Sequence, residues 1–440
     1  MIRLRNERSR PSQPDSRVCG HDRTPGWPII SYRNGAKMTQ AIVANRMGRV
    51  TASASIAARA RASELIAAGH DIVDLTLGEP DKESPPHAVR AAHAAALAGD
   101  TRYPPIAGTV ALREAVRAKF RRENGLDYVR SEVIVGNGAK HVIFHAIAAS
   151  VNDGDEVIVP TPSWVSYLDI VRFAGGTPVA VACDATHGLK LTPEILESAI
   201  SPRTKWLILN SPNNPSGAVY SAEELQLLGN VLERHPHVWV MSDEICEHYV
   251  YGGTVHTSFA ACAPTLRRRT LTVNGTSKTY GMTGWRIGYA GGPAHLIDAM
   301  CTLMSQSTGG VCSISQAAAV AALDGSQDGV TVIRRDFTRR RDLLVRRLAE
   351  IAGLTCSPPE GAFYAFPDCR AYLNTVSPEG RHIVTDRDLC DYLLEMAHVA
   401  VVHGTAYGSP GHLRLSFAAG DERIILGCDR IAAAFYRLIA

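Results

Sequence analysis

The stretch "KWLILNSPNNPSGAVYSAEELQLLGNVLERHPHVWVMSDE", residues 205–244, holds one complete alternation of strand, helix and strand. It opens on a continuously apolar run, residues 206–209, and closes on another, residues 238–241. Short runs that are apolar on both faces belong to strands of a sheet covered on both sides. Between them Ser221 and Glu224 form a capping box, and Ala222, Leu225, Leu228 and Leu232 form an apolar stripe at helical spacing. Both runs end in polar residues: Asn214 follows the first and Asp243 closes the second.

The same texture extends in both directions. "EVIVGNGAK" runs into the helix "HVIFHAIAAS", and "DEVIVPTPSW" and "RTLTVNGTSK" are further strands. This predicts an α/β fold with a mostly parallel central sheet between helices. Ligands of such sheets collect at the carboxyl ends of the strands, where Asn214, Asp243 and Lys278 fall. Upstream, "SASIAARARASELIAAG" predicts a helix ending near Gly69, "IVDLTLG" a short strand, and residues 86–97 and 109–124 two more helices. Beyond residue 324, "RRDFTRRRDLLVRRLAEIAG" predicts a helix with an apolar side of Phe337, Leu344, Leu348 and Ile351 and a solvated basic side. "GAFYAFPD", "VAVVHGTAYG" and "HLRLSFA" complete a smaller α+β domain built from both chain ends. The expected division is 38–85 and 326–440 for the small domain and 86–325 for the large one. Residues 1–37, rich in Arg, Pro and Ser, read as a disordered tail or an upstream-start extension before Met38.

With 440 residues, 45% hydrophobic and 20% charged, the composition is that of an ordinary globular protein. A net charge of +3 gives no reason to expect a nucleic-acid or membrane partner. No apolar run approaches the roughly 20 residues of a membrane span. Ten cysteines are scattered with no C-x-x-C, which fits a reducing cytoplasm. His141 and His145, four apart, are half of a metal site, but no third ligand accompanies them, so no metal is expected. "GNGAK" lacks the third glycine of a dinucleotide loop, and neither G-K-[ST] nor G-x-S-x-G occurs.

Taken together, "NSPNNPSG", "SDEICEHY", "NGTSKTYGMTGWRIGY" and "LRLSFA", in that order, form a specific set. From about Gly48 to the C terminus the chain resembles the class I aminotransferases, fold type I of the pyridoxal 5′-phosphate (PLP) enzymes, and most of all their bacterial aspartate aminotransferase branch. The resemblance implies that Lys278 forms the Schiff base with the cofactor and then serves as general base. It implies that Asp243 faces the ring nitrogen, Asn214 donates to the ring oxygen and Trp164 lies on the ring face. Arg286, Ser277 and the helix start at Gly138, Ala139 and Lys140 would hold the phosphate. Tyr103 of "TRYPPIAG" would reach it from a second subunit, which implies a homodimer. Arg414 would bind the substrate α-carboxylate, with Gly78 as second contact.

Three positions depart from the pattern. Cys246 stands where a tyrosine donor to the ring oxygen is usual, and a thiol donates weakly. Thr51 replaces the lysine of "KPSAT", which argues against prephenate. Lys82 stands where an aromatic residue is usual near the entrance, and reads as solvated or as a lure for acidic substrates. The expected activity is transfer of an amino group from an L-amino acid, aspartate by resemblance, to a 2-oxo acid such as 2-oxoglutarate. Aromatic or aliphatic specificity, an α,β-lyase and a non-catalytic effector-binding module stand as alternatives.

Overall fold

The computed structural model describes residues 42–439, and from Asn45 onward they form one compact unit. The tail expected over residues 1–37 lies outside the described residues. First come helix α1 (Ala54–Ala67), the two-residue strand β1 (Val73–Asp74), α2 (Pro86–Leu97) and α3 (Val110–Asn124). Local chemistry sets their ends. Pro86 opens α2 where no amide donor is needed. The Leu112 amide donates to Thr109 Oγ1 (3.3 Å) at the start of α3, and Gly125 closes it in a left-handed conformation.

Seven strands then build the central sheet: β2 (Val133–Asn137), β3 (Glu156–Thr161), β4 (Thr177–Ala182), β5 (Thr204–Asn210), β6 (Trp239–Asp243), β7 (Thr270–Gly275) and β8 (Ile287–Gly291). Their spatial order is β2-β8-β7-β6-β5-β3-β4. Only β8 runs against its neighbours; the other adjacent pairs are parallel. Successive residues of a strand face opposite sides, and β5 shows it. Trp206 and Ile208 join a core with α4 (Ala139–Ser150) and α5 (Ser166–Ala174), whereas Leu207 and Leu209 pack on the other face against α7 (Ala222–Glu233), which follows α6 (Pro193–Ala199).

The capping box forms: the Glu224 amide donates to Ser221 Oγ (3.2 Å) and the Ser221 amide to Glu224 Oε2 (2.8 Å). Of the expected stripe, Leu225, Leu228 and Leu232 are buried. Ala222, in the first turn, stays exposed.

The chain ends are stitched together. β1 pairs in parallel with Val399–Ala400, the Leu75 amide donates to Ala400 O (2.9 Å), and the Ser416 amide donates to Leu75 O (2.8 Å). The strand expected over residues 72–78 thus shortens to two residues followed by a tied loop. A three-stranded antiparallel sheet joins Val402–His403, Leu413–Ser416 and Tyr364–Ala365.

The long helix Asp328–Ala349 buries Phe337, Leu344 and Leu348, as its apolar period predicts. Its basic side is not wholly solvated. Arg340 is buried and donates to both oxygens of Asp81 (2.8 Å each) and to Ala418 O (3.0 Å). Lys82 is also engaged, 2.9 Å from Asp336 of the same helix, so it is neither free in solvent nor a bare lure.

Candidate active site

The carboxyl ends of β5, β6 and β7 open on a cavity of about 650 Å³. Asp243, the last residue of β6, forms its floor. The Tyr167 hydroxyl donates to Asp243 Oδ2 (2.7 Å) and the Ile245 amide to Oδ1 (3.2 Å). Burial pushes the carboxyl up to about 6 despite these donors and the nearby Lys278. Asn214 sits in the turn after β5, its amide donating to Asn210 Oδ1 (2.9 Å), while Asn210 Nδ2 donates to Asp243 O (2.9 Å).

Lys278 lies three residues past β7, and its Nζ donates to Gly78 O. The Tyr249 hydroxyl donates to Lys278 O (2.9 Å), which fixes the backbone from which the side chain projects. Burial lowers the lysine's pKa. Arg286 and Arg414 lower it further, while Cys246 and Glu79 oppose them. A lysine so placed is more readily the neutral, nucleophilic amine.

Arg414 is 2% exposed. It donates to Thr76 O (2.7 Å) and Asn214 Oδ1 (3.2 Å), and lies 4.5 Å from the centre of the Tyr364 ring. Its Nε finds no partner among the described residues. A buried cation with only neutral partners calls for an anion.

Across the cavity, Arg286 donates to Thr283 O (2.8 Å) and Asn137 O (3.1 Å). A Cβ on Gly138 would collide with its guanidinium, and a Cβ on Gly288 of β8 would strike the Ala139 amide. These two glycines let a cation and the N-terminus of α4 converge on one spot, a cradle for a phosphate. Lys140 lies 4.8 Å over the Trp164 ring and makes no ion pair among the described residues. Burial, then Arg286, lowers its pKa. Ser277 and Cys246 also line the cavity, and burial pushes the Cys246 thiol up to about 12, so it stays protonated.

Other expected residues sit elsewhere. Tyr103 is fully exposed and outside the cavity lining. The Thr51 hydroxyl (2.9 Å) and amide (3.3 Å) both donate to Asp169. His141 and His145 bond Thr308 and Ser307, each at 2.9 Å. Tyr167 is missing from the sequence-based set, although it lies three residues after Trp164 in "PTPSWVSY" and six past the end of β3. Also missing are Tyr364, Arg59 and Glu79, which line the cavity.

Residues 70–430 match the family described as aminotransferase class I and II. The chain belongs to that family. An aspartate aminotransferase of Rhizobium meliloti (strain 1021) is 50% identical over 395 residues, 90% of this chain and 96% of the relative. An aspartate/prephenate aminotransferase of Cereibacter sphaeroides is 49% identical, over 89% of this chain and 98% of the relative. The crystal structure of the Rhizobium meliloti aspartate aminotransferase superposes with a TM-score of 0.87 at 50% identity, over 90% of this chain and 99% of that one. This aminotransferase is therefore a PLP-dependent enzyme of amino-group transfer. Its donor set fits the cofactor: a buried carboxylate with no cation in contact among the described residues, a desolvated lysine, and a cradle for a phosphate in which a Cβ at Gly138 would collide with Arg286.

Proposed function

We propose that this aminotransferase takes its amino group from L-aspartate and passes it to a 2-oxo acid such as 2-oxoglutarate, acting as a homodimer in the cytoplasm. The observation that carries the reading is the placement of cations. Arg414, Lys140 and Arg286 line the same cavity as Lys278. An acid with two carboxylates places the first on Arg414, and with Arg286 given to phosphate, Lys140 is free for the second. The names of the relatives point to the same donor.

When bound, PLP supplies an aldehyde that captures amines and a ring that withdraws electrons from the substrate Cα. Asp243 would pair with the ring nitrogen and favour its protonated form, Asn214 would donate to the ring oxygen, and Trp164 would cover one face. Arg286, Ser277 and the amides at Gly138, Ala139 and Lys140 would hold the phosphate. Lys278 would hold the aldehyde carbon and, as a neutral amine, would take and return the proton at the substrate Cα. The Gly78 backbone and Arg414 orient the α-carboxylate. Tyr103, exposed in one chain, completes the phosphate site of a second copy. The division into a large domain over 86–325 and a small one from both ends belongs to the same reading. The nine cysteines among the described residues are all unpaired, which supports the cytoplasm. Prephenate is left out because Thr51 offers no cation and is bound to Asp169.

The test uses PLP-loaded enzyme given L-aspartate, L-glutamate, L-phenylalanine and L-alanine in turn, with absorbance reporting the aldehyde and amine forms of the cofactor. L-Aspartate is expected to convert it fastest, with oxaloacetate as product. Preference for phenylalanine or alanine overturns the donor, and release of ammonia marks a lyase. Sedimentation should give twice the chain mass.

A further inference from the structure

The cavity has a buried floor and an open rim. Asp243, Asn210 and Arg414 are each less than one-tenth exposed, whereas Ile56, Arg59 and Ser63, which α1 brings to the same cavity, are exposed. Among these rim residues Arg59 is the one cation. Its neighbour Arg61 turns away to Glu64 and Glu395 and does not line the cavity.

We propose that Arg59 is a specificity residue that reads the distal carboxylate of substrates longer than aspartate, taking over from Lys140 when the acid is of the length of 2-oxoglutarate or beyond. The proposal rests on Arg414 holding the α-carboxylate. With one carboxylate fixed at the floor, a second that reaches the rim must lie on a longer chain.

The resting contacts of Arg59 suit this role. Its partner among the described residues is Glu79, with Nη1 at 3.2 Å from Oε1, and the two side chains are 54% and 39% exposed. Exposed pairs of this kind contribute little to stability, so a substrate carboxylate can take the place of Glu79 at small cost. Nε and Nη2 remain for a two-point grip on the newcomer, the geometry in which a guanidinium binds carboxylate best. Glu79 is not stranded by the exchange. Its other oxygen accepts from Thr283 Oγ1 (2.6 Å), the strongest of the influences that hold its carboxyl below the usual range. Glu79 thus acts as a placeholder that competes with the substrate for Arg59.

The test measures dissociation constants of succinate, glutarate and adipate, with propionate as monocarboxylate control, from the absorbance of the bound cofactor in PLP-loaded enzyme. Arg59→Ala should weaken glutarate and adipate about tenfold, the loss of one charge-assisted contact, and leave succinate and propionate within about twofold. Glu79→Gln, which keeps an acceptor for Thr283 but frees Arg59, should tighten glutarate and adipate. The opposite signs are decisive, because a pair that merely clasps α1 to its loop would weaken every ligand in both variants. That result, or no length dependence in Arg59→Ala, overturns the role of Arg59. Native enzyme that binds no dicarboxylate better than propionate overturns the acidic-substrate reading instead.

Discussion

Asp243 and Glu247 lie four residues apart on one segment, both buried, yet their carboxyl groups are driven in opposite directions. Burial pushes Asp243 up to about 6. At Glu247 burial pushes the same way, but Lys119, His248 and His256 outweigh it and hold the group at about 2. Lys119 is 1% exposed and donates to Glu247 and to Asn124 Oδ1 (2.6 Å), and Asn124 Nδ2 donates to Glu247 Oε2 (2.7 Å). The cluster around Glu247 is complete within the chain. The cavity side is not: among the described residues Asp243 has a phenol and an amide but no cation in contact, and Arg414 has neutral partners only. Charges that hold the fold find their partners inside it, and the charges that line the cavity leave a place for a ligand.

The sharpest way to break this contrast is at its catalytic end. Lys278→Ala should lower turnover by about 10²–10⁴-fold or more, while the melting temperature of the cofactor-free protein barely changes, since no anion loses its partner. A comparable loss in turnover with a collapsed melting temperature would show that Lys278 is structural.

Glu247→Gln should do the reverse. It takes from the buried Lys119 its nearest anion, leaving Glu123 at 3.6 Å and the Asn124 oxygen, and should cost up to about 3–5 kcal/mol of stability in urea unfolding, with turnover per folded molecule nearly unchanged.

Asp243→Asn should stabilise the cofactor-free protein. At pH 7 the native carboxylate is ionised against a preference for the neutral form, and the difference between 3.8 and about 6 corresponds to at most about 3 kcal/mol. The same variant should bind PLP more weakly and turn over slowly, a trade of stability against function.

The two acids also give opposite slopes with pH. Between pH 3.8 and about 6 the folded protein keeps a proton on Asp243 that the unfolded chain releases, so this contribution to stability falls as pH rises. Glu247 contributes fully above 4.5 and loses its contribution as pH falls towards 2. Urea titrations across pH should show the first slope vanish in Asp243→Asn and the second vanish in Glu247→Gln.

The smallest effect concerns Cys246. In place of a phenol it offers a poor donor, so the spectral transition of bound PLP should lie at higher pH in the native enzyme than in Cys246→Tyr. An equal or lower value would show that another group serves the ring oxygen.

Much of this was legible before the structure. The sheet and the places of Asn214, Asp243 and Lys278 follow from short apolar runs with polar ends, and α2 and α3 from proline, threonine and glycine at their termini. These signals are local. What escaped depends on contacts made across the chain. Arg340 is buried because Asp81, 259 residues earlier, meets it. β1 is a strand only where Val399–Ala400 lies beside it, and Tyr167 matters because α5 delivers it to Asp243, 76 residues on. The helical period of residues 328–349 shows which side carries the arginines, and cannot show which of them finds an acid.

The bond from Arg414 to the carbonyl of Thr76 spans 338 residues of sequence. Because the ribosome makes residue 76 first, at about 5–20 residues per second the loop that holds Thr76 waits roughly 20–70 s for its arginine. The proposed α-carboxylate site is thus among the last parts of the cavity that the newborn chain can assemble, and fragments released early lack it.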